Sequence, residues 1–333
     1  MKAIVITKAG GPDVLELRDV PAPEPAAGEI LVRVRAAGVN RADILQRMGQ
    51  YPAPPGAPAD IPGLEYAGEV AALGAGARAW KVGDRVMGLV PAGAYAERVT
   101  VNESLALRVP SAWSFEEAAA VPEAFITAHD ALFRQMRLRA GERLLIHAVG
   151  SGVGTAALQL AAAFGARTFG TSRSAAKIEK ARALGLEVGI DSSREAFAEV
   201  VKRHTGGEGV DVVLDLVGGP VLVGNIQALS RGGRMIVVGL TGGRSATIDL
   251  GAVLSKRLTI VGTVLRARTL EEKIGVTAHF AADVLPLFEG GIVRPVVERI
   301  YPLAQAAQAH RLLESDTVFG KLVLKCDEAD GGT

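Results

Sequence analysis

The chain runs to 333 residues, a length that suits two domains of ordinary size. Its 37 lysines and arginines against 36 aspartates and glutamates leave a net charge of +1, so no polyanion-binding face is implied and nucleic acid is not an expected partner. A single cysteine, Cys326, excludes a disulfide framework within the chain and any cysteine-rich zinc site.

Residues 1–6 form a short strand pattern rather than a basic region followed by a signal-peptide core, and no apolar run reaches membrane-spanning length. A soluble cytoplasmic protein with no membrane partner is expected. Forty glycines with nine Phe, four Tyr and two Trp predict many tight turns and an aliphatic core. From Met1 to about Pro122 the pattern is strand and turn. Period-two alternation recurs around Ile4 and Ile6, over residues 14–18 and over 30–35, interrupted by a proline-rich segment at 21–28 that cannot sit inside a sheet. A short helical stretch follows at 41–48, then a stiff proline loop at 51–58. Short strands resume at 66–73, 85–89 and 94–101, which predicts a small barrel-like β domain over 1–122.

The pattern changes near Ser114, whose spacing to Glu117 is that of a capping box, and helical periodicity then runs over 123–138. Six strand candidates (143–148, 167–171, 187–191, 210–217, 233–240 and 258–264) alternate with helices at 155–164, 174–184, 194–205, 221–230 and 250–255. The fold class that follows is α/β, a doubly wound parallel sheet over 123–265 whose ligand crevice lies at the carboxyl ends of the strands. A tail over 266–333 carries a helix at 269–288, a strand at 294–300, a helix at 303–314 and a strand at 321–325, and is expected to close back on the first domain. Residues 328–333 are expected to fray.

The first strand of that sheet ends in Gly150, Ser151, Gly152, Val153, Gly154 and Thr155 and turns directly into an Ala- and Leu-rich helix. The first N–H groups of a helix lack intrahelical partners and sit at the positive end of its dipole, so a pyrophosphate gains hydrogen bonds and charge compensation there. The glycines do not spell the strict dinucleotide fingerprint, but the strand–turn–helix context is that of a dinucleotide site formed by Ser151, Gly152, Val153 and Gly154. The usual NAD-binding form adds a carboxylate about 20 residues on. Here the second strand is followed instead by Ser172 and Arg173, with Lys177 one helical turn later. Hydroxyl, guanidinium and ammonium suit a 2′-phosphate and favour NADPH over NADH.

At residues 36–43, 49–52 and 62–68 the sequence resembles the medium-chain dehydrogenase/reductase superfamily, and within it the zinc-free quinone oxidoreductases, especially the p53-inducible branch. Segments 121–128, 145–157, 262–268 and 320–324 carry the same resemblance, which spans nearly the whole chain. It implies a GroES-like catalytic domain, a Rossmann nucleotide domain and a tail that rejoins the former, assembled as a homodimer. Zinc members of the superfamily place a cysteine near Gly38 to Asn40 and a histidine where this chain has Leu64. No cysteine or histidine precedes His129, so that metal site is not expected to form.

The resemblance further implies that Asn40 and Tyr51 lie beside nicotinamide and substrate, with Thr127 near the nicotinamide. Later strand ends are implied to contact the cofactor through Gly218, Gly239, Leu240, Val264, Leu265 and Arg266, together with Lys321. Asn40 can donate to an oxygen on which charge develops, and the Tyr51 phenol can orient a carbonyl or supply a proton. Asp43 and Glu65 read first as structural acceptors, and His147 as a packed histidine. Where related enzymes often carry a tyrosine after the third strand, this chain has Asp191, Ser192 and Ser193, and Asp191 would disfavour a phosphate if it pointed inward. The expected activity is zinc-independent, NADPH-dependent reduction of a small quinone or conjugated enone. Two alternatives share the fold: an enoyl-thioester reductase and a non-catalytic NADPH-binding protein.

Overall fold

Apolar alternation at the start of the chain pairs Lys2–Ile6 (β1) with Leu15–Asp19 (β2) in an antiparallel ribbon, Ile4 opposite Leu17. The computed structural model describes residues 1–326. Its chain divides into two units, one formed by Met1–Ile126 with the residues from Arg266 onward, the other by Thr127–Leu265.

In the first unit the spine is Glu29–Val39 (β3), followed directly by a short helix, Arg41–Arg47 (α1). Glu65–Leu73 (β4), Arg85–Leu89 (β5), Arg98–Asn102 (β6) and Ala106–Arg108 (β7) complete this part of the sheet, with β4 and β6 both antiparallel to β3. Inward-facing Ile30, Val32, Val34, Tyr66, Val86, Tyr95 and Val99 fill the barrel-like core. Ser114 then caps Phe115–Ala119 (α2) through a reciprocal bond with Glu117.

The helical periodicity over 123–138 is not realised as one helix. Pro122–Ile126 is a π-helical turn belonging to the first unit, and the second unit begins with a single α-turn, Thr127–His129 (α3), and another π-helical run, Asp130–Gln135. Pro122 has no N–H to donate, and Glu123 gives its own N–H to the Glu65 carboxylate, so two backbone donors are withheld from the regular ladder.

The second unit is a train of strands and helices: Arg143–Ile146 (β8), Gly152–Ala163 (α4), Arg167–Ser172 (β9), Ala175–Arg182 (α5), Val188–Asp191 (β10), Phe197–His204 (α6), Val210–Asp215 (β11), Gly219–Ala228 (α7), Leu229–Val237 (β12), Leu250–Lys256 (α8) and Thr259–Gly262 (β13). All six strands run parallel in the order β10-β9-β8-β11-β12-β13. The order reverses at β8, and the turn after that strand marks the switch point where such sheets receive ligands. Leu145, Phe169, Ile190, Val213 and Met235, one from each of the five strands β8 to β12, are buried together in one core.

The remaining chain returns to the first unit. Thr269 caps the twenty-residue helix Leu270–Glu289 (α9), whose Phe288 packs on Trp113 (centroids 4.8 Å) and Phe125 (5.1 Å). Val297–Pro302 (β14), Ala306–Glu314 (α10) and Lys321–Lys325 (β15) follow, and β15 pairs antiparallel with β3, extending the sheet. Residues 328–333, expected to fray, lie outside the described residues.

Candidate functional site

Strand register assembles a charged cluster in the first unit. β15 pairs with β3 so that Leu322 faces Val39, and one further step sets Lys321 opposite Asn40. Tyr66 of β4 faces Ala37, and one further step brings Glu65 opposite Gly38. A Cβ at Gly38 would collide with the Glu65 carboxylate and the Ala119 carbonyl, so the position needs glycine. Lys321, 5% exposed, gives its ammonium protons to Glu65 Oε1 (2.6 Å), Asn40 Oδ1 (2.5 Å) and the Val39 carbonyl (2.9 Å). Glu65, wholly buried, also accepts from Asn40 Nδ2 (2.8 Å) and from the Glu123 N–H (2.7 Å). The Asn40 amide is therefore gripped at both ends, and its second amide hydrogen points to no acceptor among the described residues.

A second buried chain backs this cluster. Asp43 accepts from the Asn40 N–H (2.8 Å), the Gly63 N–H (3.2 Å) and the Tyr95 hydroxyl (3.0 Å). Burial, the largest influence, raises its carboxyl to about 6 against the pull of these donors and of Lys321. Arg47 donates to His310 Nδ1 (3.2 Å) and pairs with Glu314; His310 Nε2 lies 3.2 Å from the Tyr95 hydroxyl. Burial, then the neighbouring guanidinium, lowers His310 to about 3, so the ring is neutral and its Nε2–H donates to Tyr95. Neither Tyr95 nor His310 was singled out by the sequence, because each belongs to a pattern that also reads as plain strand or helix.

Tyr51 sits on the proline loop with the Arg266 guanidinium 4.8 Å above its ring. Arg266 also donates to the Tyr51 carbonyl (3.1 Å), the Pro91 carbonyl (2.7 Å) and Gln46 Oε1 (2.5 Å). Burial, more than the opposing Arg266 charge, raises the phenol above its usual value. Arg266 and Lys321, both implied by resemblance to touch cofactor, thus have their donors directed to protein groups of the first unit.

In the second unit Ser151 is the N-cap of α4, its hydroxyl accepting from the Gly154 N–H (3.1 Å). Gly152 and Val153 open the helix, where no carbonyl four residues back is available to their N–H groups, and no acidic side chain occupies this first turn. Such a donor set fits a pyrophosphate. Ser172 ends β9 and its hydroxyl accepts from the Ser174 N–H (3.1 Å), while Arg173 is exposed and Lys177 lies on the first turn of α5. Asp191 is the register neighbour of Ser172, yet its carboxylate is taken up by the Ser193 N–H (3.0 Å) and hydroxyl (2.6 Å), with Arg194 at 3.5 Å. The Ser193 hydroxyl, first among these partners, holds it below the usual carboxylate range.

A buried polar chain ties three strand ends together beneath these turns. His147 Nδ1 lies 2.9 Å from the Thr171 hydroxyl and Nε2 2.6 Å from Asn225 Oδ1; Asn225 donates to Asp215 Oδ2 (3.1 Å), and Asp215 Oδ1 accepts the N–H groups of Val217 and Gly218 (2.8 Å each). Burial lowers His147, so it stays neutral and serves as a strut. Gly218 has φ +88° and caps α7, and a Cβ there would meet the Gly243 carbonyl. Gly239 and Leu265 are half-buried, Leu240 and Val264 are 47% and 49% exposed, and Thr127 is buried.

Among the described residues no group of three or more His, Cys, Asp or Glu is arranged to hold a metal ion, and no helix is long and apolar enough to cross a membrane. Residues 26–111 match the alcohol dehydrogenase GroES-like domain and residues 152–279 the zinc-binding dehydrogenase domain. The chain is 36% identical over 331 residues to the quinone oxidoreductase of Rattus norvegicus, covering 97% of each. It is 38% identical over 324 residues to the spectinabilin polyketide synthase system protein NorB of Streptomyces orinoci, covering 96% of this chain and 14% of that protein. The crystal structure of Escherichia coli quinone oxidoreductase complexed with NADPH superposes with a TM-score of 0.88 at 32% identity, over 98% of this chain and all of that one. With its GroES-like unit, its parallel nucleotide-binding sheet and relatives of matching length along both, the chain belongs to the quinone oxidoreductase family of the medium-chain dehydrogenases and reductases.

Proposed function

We propose that the chain is an NADPH-dependent, zinc-independent reductase of quinones and related conjugated enones, working in the cytoplasm as a homodimer. The carrying observation is the grip of Glu65 and Lys321 on Asn40. It presents an oriented amide hydrogen and a fixed ammonium where zinc relatives have metal-ligand positions, and both stabilise an oxygen that becomes negative during reduction. Glu65 answers to that ammonium rather than to a metal.

Ser151, Gly152, Val153 and Gly154 would hold the cofactor's pyrophosphate; Ser172, Arg173 and Lys177 would hold its 2′-phosphate, with the Asp191 carboxylate already engaged by Ser193 and facing Arg194. Gly218, Gly239, Leu240, Val264 and Leu265 would line its path along the strand ends. When bound, the reduced nicotinamide supplies a hydride. Tyr51, with its ring fixed by Arg266, would orient the substrate carbonyl, and Thr127 would border the nicotinamide. The homodimer reading comes from the family resemblance and is supported by β13, an edge strand of its sheet that carries exposed Ile260, with exposed Leu250 and Leu254 on α8. The similarity to a polyketide synthase segment favours one second reading, an enoyl-thioester reductase on the same scaffold.

The deciding experiment measures oxidation of NADPH and NADH against ortho-quinones, para-quinones, enones and crotonyl-CoA, before and after exhaustive chelation. Quinone or enone reduction that prefers NADPH and survives chelation is expected. Faster turnover of crotonyl-CoA selects the second reading, and activity lost to chelator and restored by zinc removes the zinc-independent one.

A further inference from the structure

Hydride delivered to a quinone or enone leaves a negative oxygen that must acquire a proton. In the first unit's cluster most acidic and basic groups are committed. Lys321 directs its protons to Glu65, Asn40 and Val39, and both oxygens of Glu65 accept hydrogen bonds. Asp43 accepts three donors. Tyr51 carries a phenol made weaker still as an acid by burial.

Glu123 is different. It is half-buried on the π-helical turn Pro122–Ile126, held there by Phe125 against Phe288 and by its own N–H on Glu65 Oε2. Its carboxyl has no hydrogen bond or ion pair with any described residue. The charged groups that face it come from every neighbouring element: Glu65 on β4, Lys321 on β15, Asp43 on α1 and Arg266, and the Tyr51 phenol feels its charge. Burial and then the Glu65 carboxylate push it up to about 8, so it carries a proton at neutral pH.

Resting on the reductase reading, we propose that Glu123 is the catalytic proton donor to the substrate oxygen. A bound reduced nicotinamide would supply the hydride with its electron pair and be oxidised as the substrate is reduced. The Oε–H bond of Glu123 then breaks as an O–H bond forms on the substrate oxygen, and water restores the proton to the carboxylate. The second amide hydrogen of Asn40 holds the negative oxygen while this transfer occurs, and the nearby Lys321 charge stabilises it through space.

The test needs two independent readouts. In the cofactor-free protein, infrared difference spectra should show a protonated-carboxyl C=O band that titrates away as pH rises through about 8 and is missing in Glu123→Gln. Because the folded-state value lies above the unfolded one, the stability this group contributes is full below pH 4.5 and lost as pH rises through about 8. Glu123→Gln should therefore melt above the wild type at pH 9, and the gap should shrink as pH falls below about 8 and close only near pH 4.5. In turnover, wild-type kcat should fall above about pH 8, and Glu123→Gln should lose about 100-fold at pH 7 along with that pH limb. Glu123→Asp should recover part of the rate.

A wild type that reduces quinones while Glu123→Gln keeps its rate and pH limb overturns the proposal and spares the reductase reading. A missing carboxyl band at pH 6.5 overturns it as well. A wild type with the band in place and no reduction of any quinone or enone removes the reductase reading, and the proposal falls with it.

Discussion

In the second unit the proposed cofactor contacts come largely from consecutive residues, Ser151 to Gly154 and Ser172 to Lys177, whereas the first unit's cluster draws Asn40, Glu65, Glu123 and Lys321 from segments as far as 281 positions apart. The difference is one of material. The turn before α4 offers backbone N–H groups that exist whatever side chains surround them, so it tolerates change outside its small residues. The cluster consists of desolvated side-chain charges that satisfy one another, and each removal leaves a partner stranded.

The largest expected effect therefore lies in the first unit. Lys321→Met leaves Glu65 buried and without its counter-charge, which should cost about 3–5 kcal/mol of unfolding free energy in chemical denaturation at pH 7. Glu65→Gln combined with Lys321→Met should recover much of that, since no unpaired charge remains. A single-variant loss under about 1 kcal/mol is the surface-pair value and would show the pair to be solvated, which would erase the contrast between the units.

The same contrast explains what could be read before any coordinates. Six strands of apolar runs alternating with helices specify a parallel sheet because periodicity is local, and the glycine turn after residue 149 places its switch point. Asn40 and Tyr51 were legible through resemblance. Glu123 was not singled out, although an acidic residue straight after Pro122 inside the apolar stretch 118–126 was a signal, because helical periodicity absorbed it. Arg266 and Lys321 were implied as cofactor contacts by the resemblance; the protein groups their donors hold are set by the loop at Tyr51 and by the pairing of β15 with β3, where a one-residue slip would turn Lys321 to the other face. The chain Asp43–Tyr95–His310–Arg47 was equally hidden, since strand, helix and tail meet only after folding.

In the second unit the next largest effect is on affinity. Arg173→Ala with Lys177→Ala removes two positive charges from the end of β9 and the start of α5. The dissociation constant for NADPH, measured by nicotinamide fluorescence, should rise about 10- to 100-fold, each tenfold corresponding to about 1.4 kcal/mol, while that for NADH barely moves. Equal losses for both cofactors would mean that these residues shape the turn instead of recognising the 2′-phosphate.

The smallest effect separates the hydroxyl of Tyr51 from its ring. Phenylalanine preserves the face on which Arg266 rests at 4.8 Å, and the Arg266 bond to the Tyr51 carbonyl is a backbone contact, so Tyr51→Phe leaves the loop anchored. What it removes is one hydrogen bond to the substrate, worth about 1 kcal/mol, and kcat/KM for a quinone should drop about fivefold with stability unchanged. Orientation by the phenol predicts that the pH limb at about 8 persists in this variant, because the proton comes from Glu123. A loss of three orders of magnitude, or disappearance of that limb, would instead assign the proton to Tyr51 and return Glu123 to the supporting cast of Glu65.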